Sequence, residues 1–103
     1  MFKQISINSA DALALLQSNN TIILDIRDHD SFQQSHIPNA KNIPLNELSF
    51  LSESTEKNKP ILLYCYHGIS SQVAAKFLTN QGFETVYSLM GGFEEFSLCK
   101  EML

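Results

Sequence analysis

The chain has 103 residues, of which 44% are hydrophobic and 17% are charged, and its formal net charge is -4. This balance predicts one globular domain over residues 1–103 and argues against disorder. Nucleic-acid binding is disfavoured because the seven Lys and Arg are scattered, and a disulfide scaffold is disfavoured because there are only two cysteines. With no signal-peptide pattern and no apolar run near the roughly 20 residues of a membrane span, we expect a cytoplasmic protein with no membrane contact and with reduced thiols.

The first half of the sequence alternates apolar strand patterns with short helical patterns. Residues 5–7 predict an edge strand, and Asn8 or Ser9 is expected to cap a helix that runs to Leu16. The run at 21–25 is nearly continuous in β-branched and apolar residues, as in a strand that is buried on both faces. The next predicted elements are a short helix from Asp30, a short strand at 41–43, and a short helix at 44–48 with Pro44 in its first turn.

The second half contains the clearest strand, at residues 61–65. A helix follows at 70–80 with apolar residues on one face, and Gly82 is expected to close it. Residues 85–89 predict a further strand, Gly91 and Gly92 interrupt it, and residues 93–98 are expected to start a last helix.

This alternation of strands and helices predicts an α/β fold. The five predicted strands should form one mainly parallel sheet with helices on both faces. Ligands bind outside the carboxyl ends of the strands in sheets of this kind. Three segments leave those ends, at residues 25–28, 65–71 and 90–92. We therefore expect all three to converge on one edge of the sheet, where a site would lie.

The segment from Cys65 to Ser71 is the most informative. Cys65 ends a buried strand, a helix begins at Ser70 or Ser71, and Gly68 permits a tight curl between them. A curled loop can aim successive backbone N–H groups at one centre, and the positive end of the following helix adds to the attraction for an anion. Those N–H groups would favour the thiolate form of Cys65. Hydroxyl groups of three loop residues are expected to add donors: Tyr66, Ser70 and Ser71.

Two residues of this loop allow a second interpretation. Cys65 could be a buried and inert cysteine at a strand end, although the strand, the Gly-containing turn and the Ser-rich helix start occur together. His67 could assist proton transfer or help to hold the loop, or it could be a plain loop histidine.

The residues singled out elsewhere are interpreted mainly as structural. Asp25 and Arg27 predict a hydrogen-bonded ion pair near the edge of the sheet, and Arg27, the only Arg in the chain, remains a candidate for anion contact. His36 is expected to be a satisfied structural histidine. Gly91 and Gly92 are expected to allow close approach of the backbone beside the cysteine loop.

No metal site is predicted. The cysteines and histidines of the chain lack the paired spacings of a zinc site. Cys99 is interpreted as a packing residue or a half-exposed residue without a chemical role. The set considered for a metal is Cys65, Cys99, His29, His36 and His67.

Phosphoryl transfer is disfavoured. A Cys-x5-Arg phosphatase also places its cysteine after a strand, but it needs Arg six positions later to hold phosphate through two hydrogen bonds. Ser71 occupies that position, and the first cation downstream of the loop is Lys76. The same absence argues against an arsenate reductase, whereas a sulfane sulfur does not need such a clamp.

Several short motifs follow one another over nearly the entire chain. They are Asp25–Asp28, Phe32 with Ser35–Ala40, Cys65–Ser71, Gly82 with Phe83, and Tyr87–Phe96. In this order and spacing they resemble the rhodanese family, and specifically its short single-domain bacterial thiosulfate sulfurtransferases. Two residues depart from the family pattern, because Ser35 stands where Gly is usual and Phe96 where Trp is frequent. Neither lies in the cysteine loop, so the departures do not bear on its chemistry.

The resemblance implies a rhodanese-like domain with thiosulfate sulfurtransferase activity, in which Cys65 forms a persulfide. It implies a sulfane-sulfur donor such as thiosulfate, a thiol or dithiol acceptor such as thioredoxin, cyanide as the usual assay acceptor, and no metal or organic cofactor. A sulfur-carrier or docking module that receives sulfur from a partner protein is the alternative, and the intact Cys65 argues against the docking version. The active-site loop implied by the resemblance comprises Cys65, Tyr66, His67, Gly68, Ile69 and Ser70, and Ser71 follows it.

Overall fold

Five strands form one sheet in the computed structural model, which describes residues 3–18, 20–51 and 56–102, and the side chains of residues 4–18, 20–51 and 56–98. All pairings between these strands are parallel, and the spatial order is β1-β5-β4-β2-β3. This confirms the predicted sheet and the predicted edge position of the first strand. The strands are β1 (Lys3–Ile7), β2 (Ile22–Asp25), β3 (Lys41–Asn42), β4 (Ile61–Tyr64) and β5 (Thr85–Leu89).

Helices connect the strands, with bounds close to the predicted ones. Asn8 caps the first helix by accepting a hydrogen bond from the amide of Asp11, and Asp28 caps the second in the same way. None of the described helices is long and apolar enough to cross a bilayer. The helices are α1 (Ser9–Leu16), α2 (His29–Gln34), a 3-10 helix (Leu45–Phe50), α3 (Ser70–Asn80) and α4 (Gly92–Met102).

Two details of the helices differ from the prediction. Pro44 does not lie in the first turn of the segment after β3; its backbone is extended, with ψ of 152°, and the helix that follows it is a 3-10 helix. The last helix begins at Gly92, one residue before the predicted start at Phe93, and continues to Met102. A polar segment at residues 52–59 precedes Pro60, and its residues 52–55 lie outside the described part of the chain.

The sheet separates two apolar clusters, which confirms that helices cover both faces. Alternating residues of β4 point to opposite sides, so that Leu63 packs with Ala74 and Leu78 of α3, whereas Leu62 packs with the cluster that contains residues of α1 and α4. Every residue of β4 is buried. The carboxyl end of this central strand therefore opens between helix starts on both faces.

The three segments expected at one edge do meet there. The amide of Phe93, just after Gly92, donates to the carbonyl oxygen of Cys65 at 2.9 Å. The guanidinium of Arg27, beyond the end of β2, lies 4.3 Å from the centroid of the Phe93 ring. Cys65 thus lies between the continuations of β2 and β5.

Candidate active site

The thiol of Cys65 lies in a curl of backbone directly after β4. Its Sγ accepts hydrogen bonds from the amides of Gly68 at 3.1 Å and Ser71 at 3.3 Å. Cys65 is 7% exposed, so these donors act where water is largely excluded. The predicted convergence of N–H groups is present, and its focus is the sulfur atom. Such an arrangement stabilises negative charge on sulfur.

Gly68 makes the curl possible for two reasons. Its φ is +94°, in the left-handed region that residues with a Cβ rarely adopt. A Cβ at this position would lie 2.8 Å from the backbone nitrogen of Gly91. The loop is therefore packed against the turn after β5 and not only curled on itself.

The first turn of α4 holds the other side of the loop. The amide of Phe93 donates to the carbonyl of Cys65, and the amide of Glu94 donates to the carbonyl of Tyr66 at 3.1 Å. Gly92 lies so close that a Cβ there would come within 2.7 Å of the Cys65 carbonyl oxygen. Because C=O and N–H point in opposite directions in a trans peptide, these two bonds set the orientation of the loop's first peptide groups. The expected close backbone approach at the glycine pair is thus observed.

His67 is paired and does not stand alone on the loop. Its Nδ1 lies 2.6 Å from Oε2 of Glu94, and its ring stacks on Tyr66 with 4.7 Å between ring centroids. All three side chains are exposed. Of the alternatives left open, this geometry favours a role in holding the loop against α4.

The expectation that loop hydroxyl groups donate to the thiol is wrong for Ser71. The Ser71 side chain is fully buried, and its Oγ forms a 2.8 Å hydrogen bond with Oγ of Ser88 on β5. Ser71 therefore reaches Cys65 through its backbone amide alone. Tyr66 lies at the exposed surface against His67, Ser70 is exposed at the first position of α3, and Ile69 is 74% exposed.

Several residues that support the loop were not among the predicted site residues. They are Gln72, whose side-chain amide donates to the carbonyl of Gly68 at 3.1 Å, and Ser88, Phe93 and Glu94, which have been described above. A polar residue in the first turn after the loop was a local signal for Gln72. The other three become visible only once β5 is placed beside β4.

Asp25 and Arg27 form the expected ion pair, and it is buried. Arg27 Nη2 lies 2.8 Å from Oδ2 of Asp25, Nε contacts both carboxylate oxygens, and Nη2 also donates to the carbonyl of Ser35. Burial opposes the charge on Arg27, but the hydrogen bond and the charge of Asp25 outweigh burial and raise the pKa of Arg27 above its ordinary value. The guanidinium is thus bound to Asp25 and to the Ser35 carbonyl. The geometry therefore does not support the prediction that Arg27 could contact an anion.

The remaining predicted site residues lie apart from the thiol. His36 is exposed, stacks on Phe32 at 3.9 Å, and has its Nδ1 2.8 Å from the Phe32 carbonyl oxygen, as a structural histidine would. Among the described side chains, no three His, Cys, Asp or Glu residues come together as metal ligands would. The side chain of Cys99 lies outside the described part of the chain, and its interpretation stays a prediction.

Known proteins resemble this chain over most of its length. The family model described as Rhodanese-like domain matches residues 8–99. "Thiosulfate sulfurtransferase GlpE" of Coxiella burnetii is 49% identical over 94 residues, which cover 91% of this chain and 86% of that protein. The protein of the same name from Vibrio cholerae is 45% identical over 93 residues, covering 90% and 86%.

Solved structures share the fold as well. A rhodanese-like domain protein from Staphylococcus aureus superposes with a TM-score of 0.80 at 27% identity, covering 89% of this chain and 90% of that one. A protein from Rhodopseudomonas palustris, described as of unknown function and a possible tyrosine phosphatase, gives a TM-score of 0.84 at 26% identity, covering 93% and 81%. The fold alone therefore accommodates more than one suggested chemistry, and the loop has to decide between them.

Proposed function

The chain belongs to the rhodanese family and is a thiosulfate sulfurtransferase, and we propose that its reaction passes through a persulfide on Cys65. The observation that carries the proposal is the pair of amides, from Gly68 and Ser71, that donate to Sγ. A persulfide formed there would place its terminal, negatively charged sulfur at the mouth of the same curl. Donors fixed in the folded backbone need no reorganisation as this charge develops.

The first half-reaction is a nucleophilic displacement at sulfur. The Cys65 thiolate attacks the outer sulfur of thiosulfate, a new S–S bond forms, and the bond to the sulfonate sulfur breaks. Sulfite leaves with the electron pair of that bond. In the second half-reaction an acceptor attacks the terminal sulfur of the persulfide, and the electron pair of the S–S bond returns to Sγ of Cys65. No step requires a metal or an organic cofactor.

The family membership supports a sulfur donor and a thiol acceptor as partners. We propose thiosulfate, or another sulfane-sulfur compound, as donor, a dithiol protein such as thioredoxin as cellular acceptor, and cyanide as a convenient acceptor in assays. We also propose a cytoplasmic location, because a reducing compartment keeps the thiol of Cys65 free from disulfide formation.

A phosphatase function is not supported by the loop. The position of the phosphate-binding Arg in a Cys-x5-Arg loop is held by Ser71, which is fully buried against Ser88. Arg27 is occupied by Asp25. Without a guanidinium, the loop has no bidentate partner for the phosphoryl oxygens. Hydrolysis of a chromogenic phosphate ester should therefore be undetectable.

Intact-protein mass spectrometry tests the proposal. Treatment with thiosulfate should add the mass of one sulfur atom to the protein, and later addition of cyanide should remove it. Cys65→Ser should gain no sulfur, whereas Cys99→Ser should gain it as fully as the parent. A parent protein that gains no sulfur, or a folded Cys65→Ser variant that keeps its activity, would contradict the proposal. Loading by a persulfidated donor protein but not by thiosulfate would instead indicate the carrier function.

A further inference from the structure

An apolar groove of about 320 Å³ lies between the 3-10 helix and α3, and its lining residue Val73 comes two residues after the cysteine loop. Leu45 of the 3-10 helix and Val73 of α3 line it, and they are 44% and 65% exposed. The other apolar residues that line it are Leu48, Ala74 and Phe77. Large apolar side chains that stay exposed next to one another indicate a contact surface more often than a free one.

The active-site loop carries a further exposed apolar side chain close in sequence to the groove. Ile69, four residues before Val73, is 74% exposed at the position that precedes α3. Residues four apart lie on the same side of a helix, so Ile69 extends the apolar strip of Val73 toward Cys65. A molecule that covers the thiol closely enough to exchange sulfur would also cover this strip.

The edge of the sheet that carries Cys65 is acidic. Exposed carboxylates occupy the first turns of the helices that begin there, as well as the 3-10 helix. Within the described residues, Arg27 is the one cation that directly follows the carboxyl end of a strand, and it is paired with Asp25. The exposed carboxylates at this edge are Asp11, Asp28, Asp30, Glu47, Glu94 and Glu95.

Two lysines, Lys57 and Lys59, precede β4 and lie at the opposite edge, where the acids Glu56 and Glu84 make the charge mixed. Lys41 lies near the Cys65 edge, because it pairs with Leu24, one residue before the end of β2. Lys76 lies farther back, six residues after Ser70 and about 9 Å along the axis of α3. The exposed carboxylates outnumber Lys41, so the Cys65 edge is negative overall.

We propose that the strip formed by Leu45, Ile69 and Val73, together with the acidic edge around it, is a docking surface for a protein thiol flanked by apolar and basic residues. The proposal rests on the proposed function and names its acceptor class. A basic partner would be steered toward the acidic edge, and an apolar side chain beside its cysteine would fill the groove. The partner's thiolate then attacks the terminal sulfur of the Cys65 persulfide, the new S–S bond forms on the partner, and the electron pair of the broken bond returns to Sγ of Cys65.

Three cysteine peptides of equal length test the charge requirement. Each carries one Leu near its Cys, and they differ in having two Lys, two Gln or two Glu as flanking residues. Sulfur transfer from thiosulfate-loaded Cys99→Ser protein is followed in single turnovers by mass spectrometry. At low salt the Lys peptide should react about tenfold faster than the Glu peptide, and high salt should abolish the difference. Equal rates at low salt, or the reverse order, would overturn the proposal.

Matched variants test the surface itself. Val73→Ser should slow transfer to the Lys peptide about fivefold, whereas Leu98→Ser, an exposed apolar residue of α4, should not. The double variant Asp28→Asn with Asp30→Asn should also slow transfer to the Lys peptide. The double variant Glu56→Gln with Glu84→Gln removes two charges from the opposite edge and should leave that rate unchanged. Asn preserves the cap of α2. Transfer to dithiothreitol, which is small and neutral, should be the same in all these variants.

A second readout separates this proposal from the proposed function. Thiopyridyl disulfides of the same peptides exchange with the reduced Cys65 thiol and release thiopyridone, without any persulfide. The order of rates among peptides and variants should be the same in this exchange. If thiosulfate adds no sulfur but the order persists, the proposed function fails and the docking surface stands. If sulfur is added but neither readout depends on peptide charge or on Val73, the docking surface is refuted alone.

Discussion

The backbone amide of Phe93 donates a 2.9 Å hydrogen bond to the carbonyl oxygen of Cys65. The residue proposed to carry sulfur is thus attached by its own peptide group to the first turn of the last helix. Gly92 lies against the same carbonyl, and Gly68 lies against the backbone of Gly91. The geometry of the thiol site consequently depends on the turn after β5 as much as on the cysteine loop.

Replacement of Gly92 by Ala should damage the site more than the fold as a whole. Its φ is +62°, and the added Cβ would meet the backbone of Tyr66 and lie 2.7 Å from the Cys65 carbonyl oxygen. We expect a loss of about 2–3 kcal/mol in the free energy of unfolding and at least a tenfold drop in sulfur transfer. Urea denaturation and the thiosulfate assay measure the two effects.

Gly82→Ala is the matched control for Gly92→Ala. Gly82 also has a positive φ, of +104°, but a Cβ there would find its nearest neighbour, a side-chain atom of Lys57, at 4.0 Å. The Gly82→Ala substitution should lower the free energy of unfolding by about 1–2 kcal/mol through backbone strain alone, and it should leave sulfur transfer unchanged. Equal activities for the two variants would show that the contact between Gly92 and the loop does not shape the site.

Ser71→Ala should affect stability without affecting the chemistry. The Ser71 hydroxyl bonds to Ser88 and not to the thiol, and its removal leaves the buried Ser88 hydroxyl without that partner. We expect the free energy of unfolding to fall by about 1–3 kcal/mol and the turnover per folded molecule to stay unchanged. The double variant Ser71→Ala with Ser88→Ala should lose less than the sum of the single variants, since neither hydroxyl is then left behind. If Ser71→Ala lost turnover but not stability, the Ser71 hydroxyl would have to act in the reaction, which would contradict this prediction.

Arg27→Met should be among the most damaging substitutions outside the loop. It leaves the fully buried carboxylate of Asp25 without its charged partner, at a cost of about 3–5 kcal/mol. Arg27→Lys keeps the positive charge but not the bidentate contact with Asp25, so it should lower the free energy of unfolding less than Arg27→Met does. Asp25→Asn combined with Arg27→Met should be more stable than Arg27→Met alone, as measured by urea denaturation. If the double variant were the less stable one, uncompensated charge would not be the cause.

Tyr64 should make the protein sensitive to alkali. Burial above all, together with the neighbouring Asp25 carboxylate, raises the pKa of the Tyr64 phenol above its ordinary value of 10.0, against the opposing effect of the Ile37 amide. The folded chain therefore keeps the proton where the unfolded chain releases it. The contribution of Tyr64 to the free energy of unfolding is therefore constant below pH 10. Above pH 10 it falls, by about 1 kcal/mol at pH 11.

Tyr64→Phe isolates this effect. It should be less stable than the parent at pH 7 by about 1–2 kcal/mol, because the buried Ile37 amide loses the acceptor that it contacts at 3.1 Å. Between pH 9 and 11, however, the variant should lose less stability than the parent. Parallel decreases in the two proteins would assign the alkaline sensitivity to other groups.

The sequence predicts those features whose signals are local. The strand at 61–65 is a continuous apolar run, and the loop after it combines a strand-end Cys with Gly68, so the buried strand and the curl can both be foreseen. The direction of the Ser71 hydroxyl cannot, because it depends on the position of Ser88 on the adjacent strand. Likewise, the partner of His67 follows from the placement of α4 against the loop. The separation of charge between the two edges appears only when the common direction of the strands is known.

The pairing of the first strand with the last has a kinetic consequence. Lys3 of β1 is opposite Thr85 of β5, so this pair closes a loop that contains most of the chain. Such contacts raise the contact order, and folding is slow where contacts between distant residues dominate. During synthesis β1 must wait for β5, and the turn that positions Cys65 also comes after β5. The backbone contacts that hold the Cys65 carbonyl and Gly68 are therefore completed only after β5 and the turn that follows it are in place.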